Sequence, residues 1–354
     1  MPEISRILAA LDSAAGQPAA LATLVKVEGS SYRRPGARLL LLPDGTRLGS
    51  ISGGCLEEDV LERARRVLAT GQPELAVYDT TAENDLVWGV GLGCQGVVRI
   101  LLERIPAERP AWIPALRANL HERRDTSLIV SQAGTRLAGE ATAANGDFHE
   151  TIPAPPALLL CGAGDDARPL AQLAKAAGWH VTVADARPAY ANRARFPDAA
   201  AVLSAPIPEL VPRLRFDART FAVVMTHRYA DDREFLRALL PRDFAYLGQL
   251  GPRVRTDRIL NELKADGLAL TDAALAKLHA PVGLDLGGST PETVALAILA
   301  ELETRLNNRT PGHLRDRPGP IHGEPAWRSG WFFNTKPRSG DFFVIEMLEG
   351  NQPQ

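Results

Sequence analysis

The chain has 354 residues and a formal net charge of −2, which is long enough for two domains with separate cores and gives no net basic charge for nucleic acid or an acidic membrane surface. It has no apolar run of about 18 residues, the length a spanning helix needs, and its start, MPEISRILAALD, lacks a signal peptide's basic region; a cytoplasmic protein without a membrane span is expected. Its three cysteines, Cys55, Cys94 and Cys161, are too few and too scattered for a disulfide framework, and none forms a C-x-x-C pair, which argues against structural zinc; a reactive thiol or inert buried cysteines remain.

Ile4, Ile7, Leu8 and Leu11 share one helical face, predicting an amphipathic helix over 4–14 closed by Gly16. Apolar and β-branched residues predict a strand over 19–28, and after a turn at 29–31 a second over 37–42. Pro43-Asp44-Gly45 reads as a hairpin turn into a strand over 47–51, and 56–69 has helical spacing. Between that strand and that helix stands Ser52-Gly53-Gly54-Cys55. Small residues there leave N–H groups able to cradle an anion, and a helix start favours a thiolate, so Cys55 is the leading candidate for a nucleophile or soft ligand. A small residue at a helix cap explains it equally well. Strands are expected over 75–79 and 97–102, and between them Gly89, Gly91, Gly93 and Gly96 frame Cys94 as a second glycine-rich loop with a cysteine.

A helix over 112–124 and a hairpin of 127–131 with 135–139 follow, and the glycine and prolines of 145–156 suggest a linker. Residues 158–188, LLLCGAGDDARPLAQLAKAAGWHVTVADARP, then form a complete strand, turn, helix and strand. The strand 158–161 leads through Gly162-Ala163-Gly164 into a helix over 167–178 and a strand over 180–184 that ends at Asp185. Gly162 permits the tight turn, Gly164 lets N–H groups approach a phosphate at a helix N-terminus, and Asp185 stands where an acid bonds a ribose hydroxyl. Asp165 and Asp166 put negative charge where a pyrophosphate would approach, and a plain crossover without ligand stays open. Arg187 leaves a 2′-phosphate admissible beside Asp185.

Further strands are expected over 200–203 and 221–226, with Thr226-His227 at the ligand-holding end and His227 a candidate phosphate or pterin contact or a satisfied loop residue. A helix over 231–240, a strand over 245–247, a turn over 248–255 and a helix over 256–264 come next. A helix is expected over 293–305, with Thr290 a natural N-cap and Pro291 at the first position, and the loop before it reads equally as an anion nest or a simple capped turn. Beyond residue 307 the chain is rich in Pro, Gly and Arg, apart from 341–347. The resulting architecture is α/β: an N-terminal α+β domain (1–144), a linker (145–156), a Rossmann-like doubly wound domain (157–306) and an extension (307–354).

The runs GSSYRRPGARLLL, GSISGGCLEEDVL, GLGCQG, GAGDDARPL, VADARPAYANRARFPDA, VMTHRYADD, YLGQLGPRVR and PVGLDLGGSTPETVALAILAEL, in this order between residues 4 and 303, resemble the XdhC/CoxI family. Tyr32 takes the place of a proline expected after the paired serines. The resemblance implies a chaperone, without turnover of its own, that binds the molybdenum cofactor (molybdopterin), shelters its sulfurated form and delivers it to an apo molybdenum hydroxylase such as xanthine dehydrogenase. A cysteine desulfurase and a second copy of the chain are candidate partners. On this reading Cys55 and Cys94 handle the metal or its sulfur. Ser52, Gly53, Gly54, Gly91, Gly93, Gly162, Gly164, Asp165, Asp166, Asp185, Arg187 and His227 contact the cofactor, and no protein metal site is expected. The competing readings are an NAD(P)-dependent oxidoreductase using the Gly162–Gly164 turn, although no proton-relay His or Lys stands out, and a protein-binding scaffold.

Overall fold

The computed structural model describes residues 3–29, 31–79, 96–140, 144 and 146–317; Ser30, residues 80–95 and residues 318–354, with 341–347, lie outside the described residues. The chain divides into two compact units, built on Glu3–Ala154 and Pro155–His313.

The first unit contains α1 (Glu3–Ser13), β1 (Ala19–Gly29), β2 (Arg38–Leu41), β3 (Arg47–Gly49), α2 (Glu57–Thr70), β4 (Glu74–Asp79), β5 (Gly96–Ile105), α3 (Trp112–Glu122), β6 (Thr126–Ser131), β7 (Gly134–Leu137) and β8 (Phe148–Ile152). An antiparallel sheet runs β3-β2-β1-β5-β4. In β1, Ala20, Ala22 and Leu24 face α2 with Val60, Leu61 and Ala64, whereas Ala19 and Leu21 face Ile7, Leu11, Trp112 and Ile113 of α1 and α3. A strand covered on both faces reads as a continuous apolar run, which is why Ala19–Leu24 shows no alternation.

A second sheet, β7-β6-β8, contains the expected hairpin and one strand that the sequence hides. Phe148–Ile152, inside the stretch read as a linker, pairs antiparallel with β6. Its side chains are alternately exposed and half-buried, so it carries little apolar signal, and the prolines that suggested a linker come after it. Arg38, 4% exposed on β2, is ion-paired to Glu150 of β8. Glu103 of β5 accepts from the Thr135 N–H at 2.8 Å and from its hydroxyl; burial pushes this carboxyl up in spite of those bonds.

The second unit contains β9 (Ala157–Cys161), α4 (Ala167–Ala177), β10 (His180–Asp185), β11 (Ala201–Ser204), α5 (Ile207–Leu210), β12 (Thr220–Val224), α6 (Tyr229–Leu239), β13 (Tyr246–Gln249), α7 (Arg253–Ala265), α8 (Asp272–Ala276), β14 (Leu278–His279) and α9 (Pro291–Leu306). All its strands are parallel, in the order β11-β10-β9-β12-β13-β14. Leu158, Leu160, Val181 and Val223 pack toward α4 and α9, and Leu159, Ala184, Ala222 and Val224 toward α5, α6 and α7. The sheet is thus doubly wound, and strand order reverses between β9 and β12, so the ligand-holding crevice of such a fold opens at Cys161–Gly162 and Val224–Thr226.

Two differences from expectation have local causes. Helix α7 begins at Arg253 inside the expected turn, because its first turn is solvent-facing, with Val254 78% exposed, and shows no apolar period. Elements α8 and β14 are too short to set a period, and α8 starts on a Thr271 hydroxyl that accepts from the Ala274 N–H at 3.1 Å. The Thr290 cap with Pro291 at the first position of α9 is as read from sequence.

Candidate functional site

The glycine turn after β9 is fixed by its neighbours. Gly162 has φ +122°, and a Cβ there would lie 2.5 Å from the Met225 carbonyl oxygen, so only glycine fits where the turn passes the end of β12. Its N–H donates to the Ala184 carbonyl at 2.8 Å, and the next N–H, of Ala163, donates to Asp185 Oδ2 at 2.8 Å.

Asp185 is 2% exposed, and its acceptor positions are filled from within the chain. Oδ1 takes the Arg187 N–H at 2.8 Å and Nε at 2.9 Å; Oδ2 takes Ala163 N–H and Arg187 Nη2 at 2.7 Å. Burial works to raise this carboxyl, but the Arg187 guanidinium and the two N–H groups outweigh it and hold it below the ordinary range. A ribose hydroxyl would have to displace one of these donors.

The acids expected to repel a phosphate are themselves paired. Asp165 meets Arg195 at 2.8 Å, and Asp166 Oδ2 lies 2.7 Å from His227 Nε2. His227 has φ +61°, an uncommon left-handed conformation for a residue with a side chain. A Cβ on Gly164 would come within 2.9 Å of Asp166 Oδ1 and 3.6 Å of the His227 ring. Arg187 and Arg195 stand over the half-exposed Tyr190 ring at 4.2 and 5.3 Å. The structure thus gathers Gly162, Gly164, Asp165, Asp166, Asp185, Arg187 and His227 at one strand-end turn, and adds Tyr190 and Arg195. Both added residues lie in the run VADARPAYANRARFPDA, but only the fold brings them to the turn. Among the described residues, no acceptor takes the N–H groups of Gly164, Asp165 and Asp166, at the start of α4.

Next to the turn, buried Asp232 is ion-paired to Arg255 and accepts from Gln249 Nε2 at 3.2 Å and the Thr226 N–H at 3.2 Å, clamping the ends of β12 and β13 to α6 and α7. Cys161 is fully buried in the core. Burial, with the charges of Asp232 and Asp185, pushes its thiol far up, so it is an inert packing residue.

Cys55, in contrast, is an exposed free thiol. Its loop uses its donors internally: the N–H groups of Ile51, Ser52 and Gly54 point at the carboxylate of Glu57, in the first turn of α2. Burial raises that carboxyl, but the Ser52 hydroxyl and N–H and the Ser50 hydroxyl prevail and hold it below the ordinary range. Ser52, Gly53 and Gly54 therefore form an anion-holding loop whose anion is the chain's own. Cys94, Gly91 and Gly93 lie outside the described residues. Among the described residues, no group of three or more His, Cys, Asp or Glu is placed to hold a metal ion, and no helix is long and apolar enough to cross a membrane.

Comparison with known proteins agrees with both units. The XdhC Rossmann domain matches residues 158–302, and the XdhC and CoxI family pattern matches residues 13–79. A Bacillus subtilis protein named as a probable xanthine dehydrogenase subunit is 33% identical over 317 residues, covering 81% of this chain and 92% of its own. An Escherichia coli protein named molybdenum cofactor insertion chaperone PaoD is 24% identical over 81% of this chain and 83% of its own. A crystal structure described as a xanthine dehydrogenase from Bacillus halodurans superposes with a TM-score of 0.74 at 29% identity, over 88% of this chain and 97% of that one. With an exposed thiol on a glycine loop in one unit and a doubly wound Rossmann turn in the other, the chain belongs to the XdhC and CoxI family.

Proposed function

We propose that this protein receives the molybdenum cofactor, shelters it in sulfurated form and hands it to an apo molybdenum hydroxylase of the xanthine dehydrogenase type, without turnover of its own. The observation that carries the reading is the exposed Cys55 thiol, held on a hydrogen-bonded loop within the stretch that matches the family pattern. Molybdenum accepts soft thiolate ligands, and an exposed thiol beside small residues is open to a bulky metal centre. The name of the Escherichia coli relative supports cofactor insertion, and that of the Bacillus subtilis relative supports a link to xanthine dehydrogenase. Cys55, with Cys94, meets the metal or its sulfur, and Ser52, Gly53, Gly54, Gly91 and Gly93 shape the surrounding loops. In the second unit the N–H groups of Gly164, Asp165 and Asp166, with Arg187, Arg195 and His227 nearby, suit a terminal phosphate. A cysteine desulfurase as sulfur source, a second copy of the chain as partner and a cytoplasmic location complete the reading.

The test is the molybdenum and pterin content of protein purified from a molybdate-supplied host, together with activation of the apo hydroxylase. Both should fall several-fold in Cys55→Ser; unchanged values in both remove Cys55 from the function. The dinucleotide alternative is weakened by Asp185, whose oxygens are already committed to Arg187 and Ala163. Titration with NADH should give no saturable change in its fluorescence. Tight binding with substrate-dependent oxidation would make the protein a dehydrogenase instead.

A further inference from the structure

The donors of the loop that presents Cys55 converge on one side chain, Glu57. Ile51 and Ser52 N–H donate to Glu57 Oε1 at 3.3 and 2.8 Å, Gly54 N–H donates to Oε2 at 3.0 Å, and the Ser52 hydroxyl donates to Oε2 as well. The Ser50 hydroxyl lies 2.8 Å from Oε1, sharing its one hydrogen with the Ser52 carbonyl at 2.6 Å. The Ser52 oxygen in turn accepts the Leu56 N–H at 3.1 Å. The residues on both sides of Cys55 are thereby tied, directly or through Ser52, to the same carboxylate. Cys55 itself makes no hydrogen bond among the described residues, and at Gly54 a Cβ would meet nothing within 4 Å. The loop is anchored at its ends by Ile51 and Leu56, which pack into the core beneath α2, while at Gly53 the neighbour a Cβ would meet is the Tyr32 ring at 3.5 Å. The neighbouring acids of α2 do not substitute for Glu57: Glu58 is exposed, and Asp59 is engaged by Arg63 and the Tyr78 hydroxyl.

We propose that Glu57 is the positioning residue of the Cys55 thiol: its carboxylate gathers the donors of residues 50–54 and so fixes where the sulfur stands. The proposal rests on the reading of Cys55 as the group that meets the cofactor. Glu57→Gln keeps one acceptor oxygen but turns an N–H₂ toward the Gly54 N–H, so it should hold the loop only partly. Glu57→Asp keeps the charge but falls one methylene short. Glu57→Ala leaves the donors facing a gap sized for a small carboxylate.

Full-length protein carrying Cys94→Ser, spin-labelled at Cys55, reports loop order by its line shape. The expected series of label mobility is lowest with Glu57 intact, then Glu57→Gln and Glu57→Asp, with Glu57→Ala highest; added formate should return the Glu57→Ala line shape toward that of the unsubstituted loop. The thermal midpoint checks that the fold is retained. In parallel, unlabelled Glu57→Ala with Cys94 intact, purified from a molybdate-supplied host, should retain several-fold less molybdenum and pterin. An unchanged line shape in Glu57→Ala overturns the proposal. So does retention that falls in Cys55→Ser but not in Glu57→Ala. If line shapes follow the series while Cys55→Ser retains cofactor normally, the positioning role stands and the reading of Cys55 fails.

Discussion

Two glycine-rich loops, 50–56 and 161–166, each join a strand to a helix, yet they distribute their hydrogen bonds in opposite ways. In the first, the loop N–H groups are consumed by Glu57 and the thiol is left exposed. In the second, the acid at the end of β10 is consumed by Arg187 and Ala163, while the N–H groups opening α4 have no acceptor among the described residues. Glycine in a loop therefore says that backbone donors can be brought close to something. Which acceptor takes them, if any, is decided by side chains outside the glycines: Glu57 in the first loop, and Asp185 for the Ala163 N–H in the second.

Several measurements break or sharpen this contrast. The largest effect should come from Gly162→Ala, which drives a Cβ into the Met225 carbonyl at a backbone angle disfavoured for alanine. A loss of about 3–5 kcal/mol in urea unfolding is expected, against about 1 kcal/mol for Gly54→Ala, where φ is +120° but the space is open. Equal losses would mean that the turn is no more tightly constrained than the loop.

Next is Asp185→Ala, which leaves Arg187 and the Ala163 N–H without their partner and should cost about 3 kcal/mol. Because the folded carboxyl lies below its unfolded value, its contribution is fully present above about pH 4 and is lost as pH falls through the folded value. Acid unfolding followed by tryptophan fluorescence should be less steep in Asp185→Asn; an unaltered pH dependence would show that this pair does not stabilise the fold.

A smaller effect is expected at His227, where glycine relieves the left-handed backbone. His227→Gly should be more stable than His227→Ala by about 1 kcal/mol in a thermal melt, and the reverse order would mean that the conformation is unstrained. Smallest is Cys55→Ser, an exposed change that should move stability by less than about 0.5 kcal/mol while cofactor retention falls. A large stability loss would make the residue a structural one.

The crossover was legible because Leu158, Leu160, Val181 and Val183 alternate with the opposite face of a sheet covered on both sides, and Gly162 and Asp185 punctuate it. The candidate residues at that turn were legible one by one, but their pairing was not: Asp166 finds His227 across 61 positions, and Asp165 finds Arg195 across 30. Strand β8 was hidden by its polar, half-exposed composition, and α7's first turn by Val254 facing solvent. Glu57 stood in plain view two residues after Cys55, but its role is acceptor arithmetic, visible only once the loop's N–H directions are known.

The Arg38–Glu150 pair bears on where this chain can be cut. A fragment stopping at residue 144 would delete β8, taking away the Glu150 partner of Arg38 and leaving β6 as a bare sheet edge, so it is expected to be less stable than one that keeps them. Extending the same fragment to Ala154 keeps the carboxylate and the third strand, so those ten residues decide whether this small sheet ends on a paired strand or an open edge.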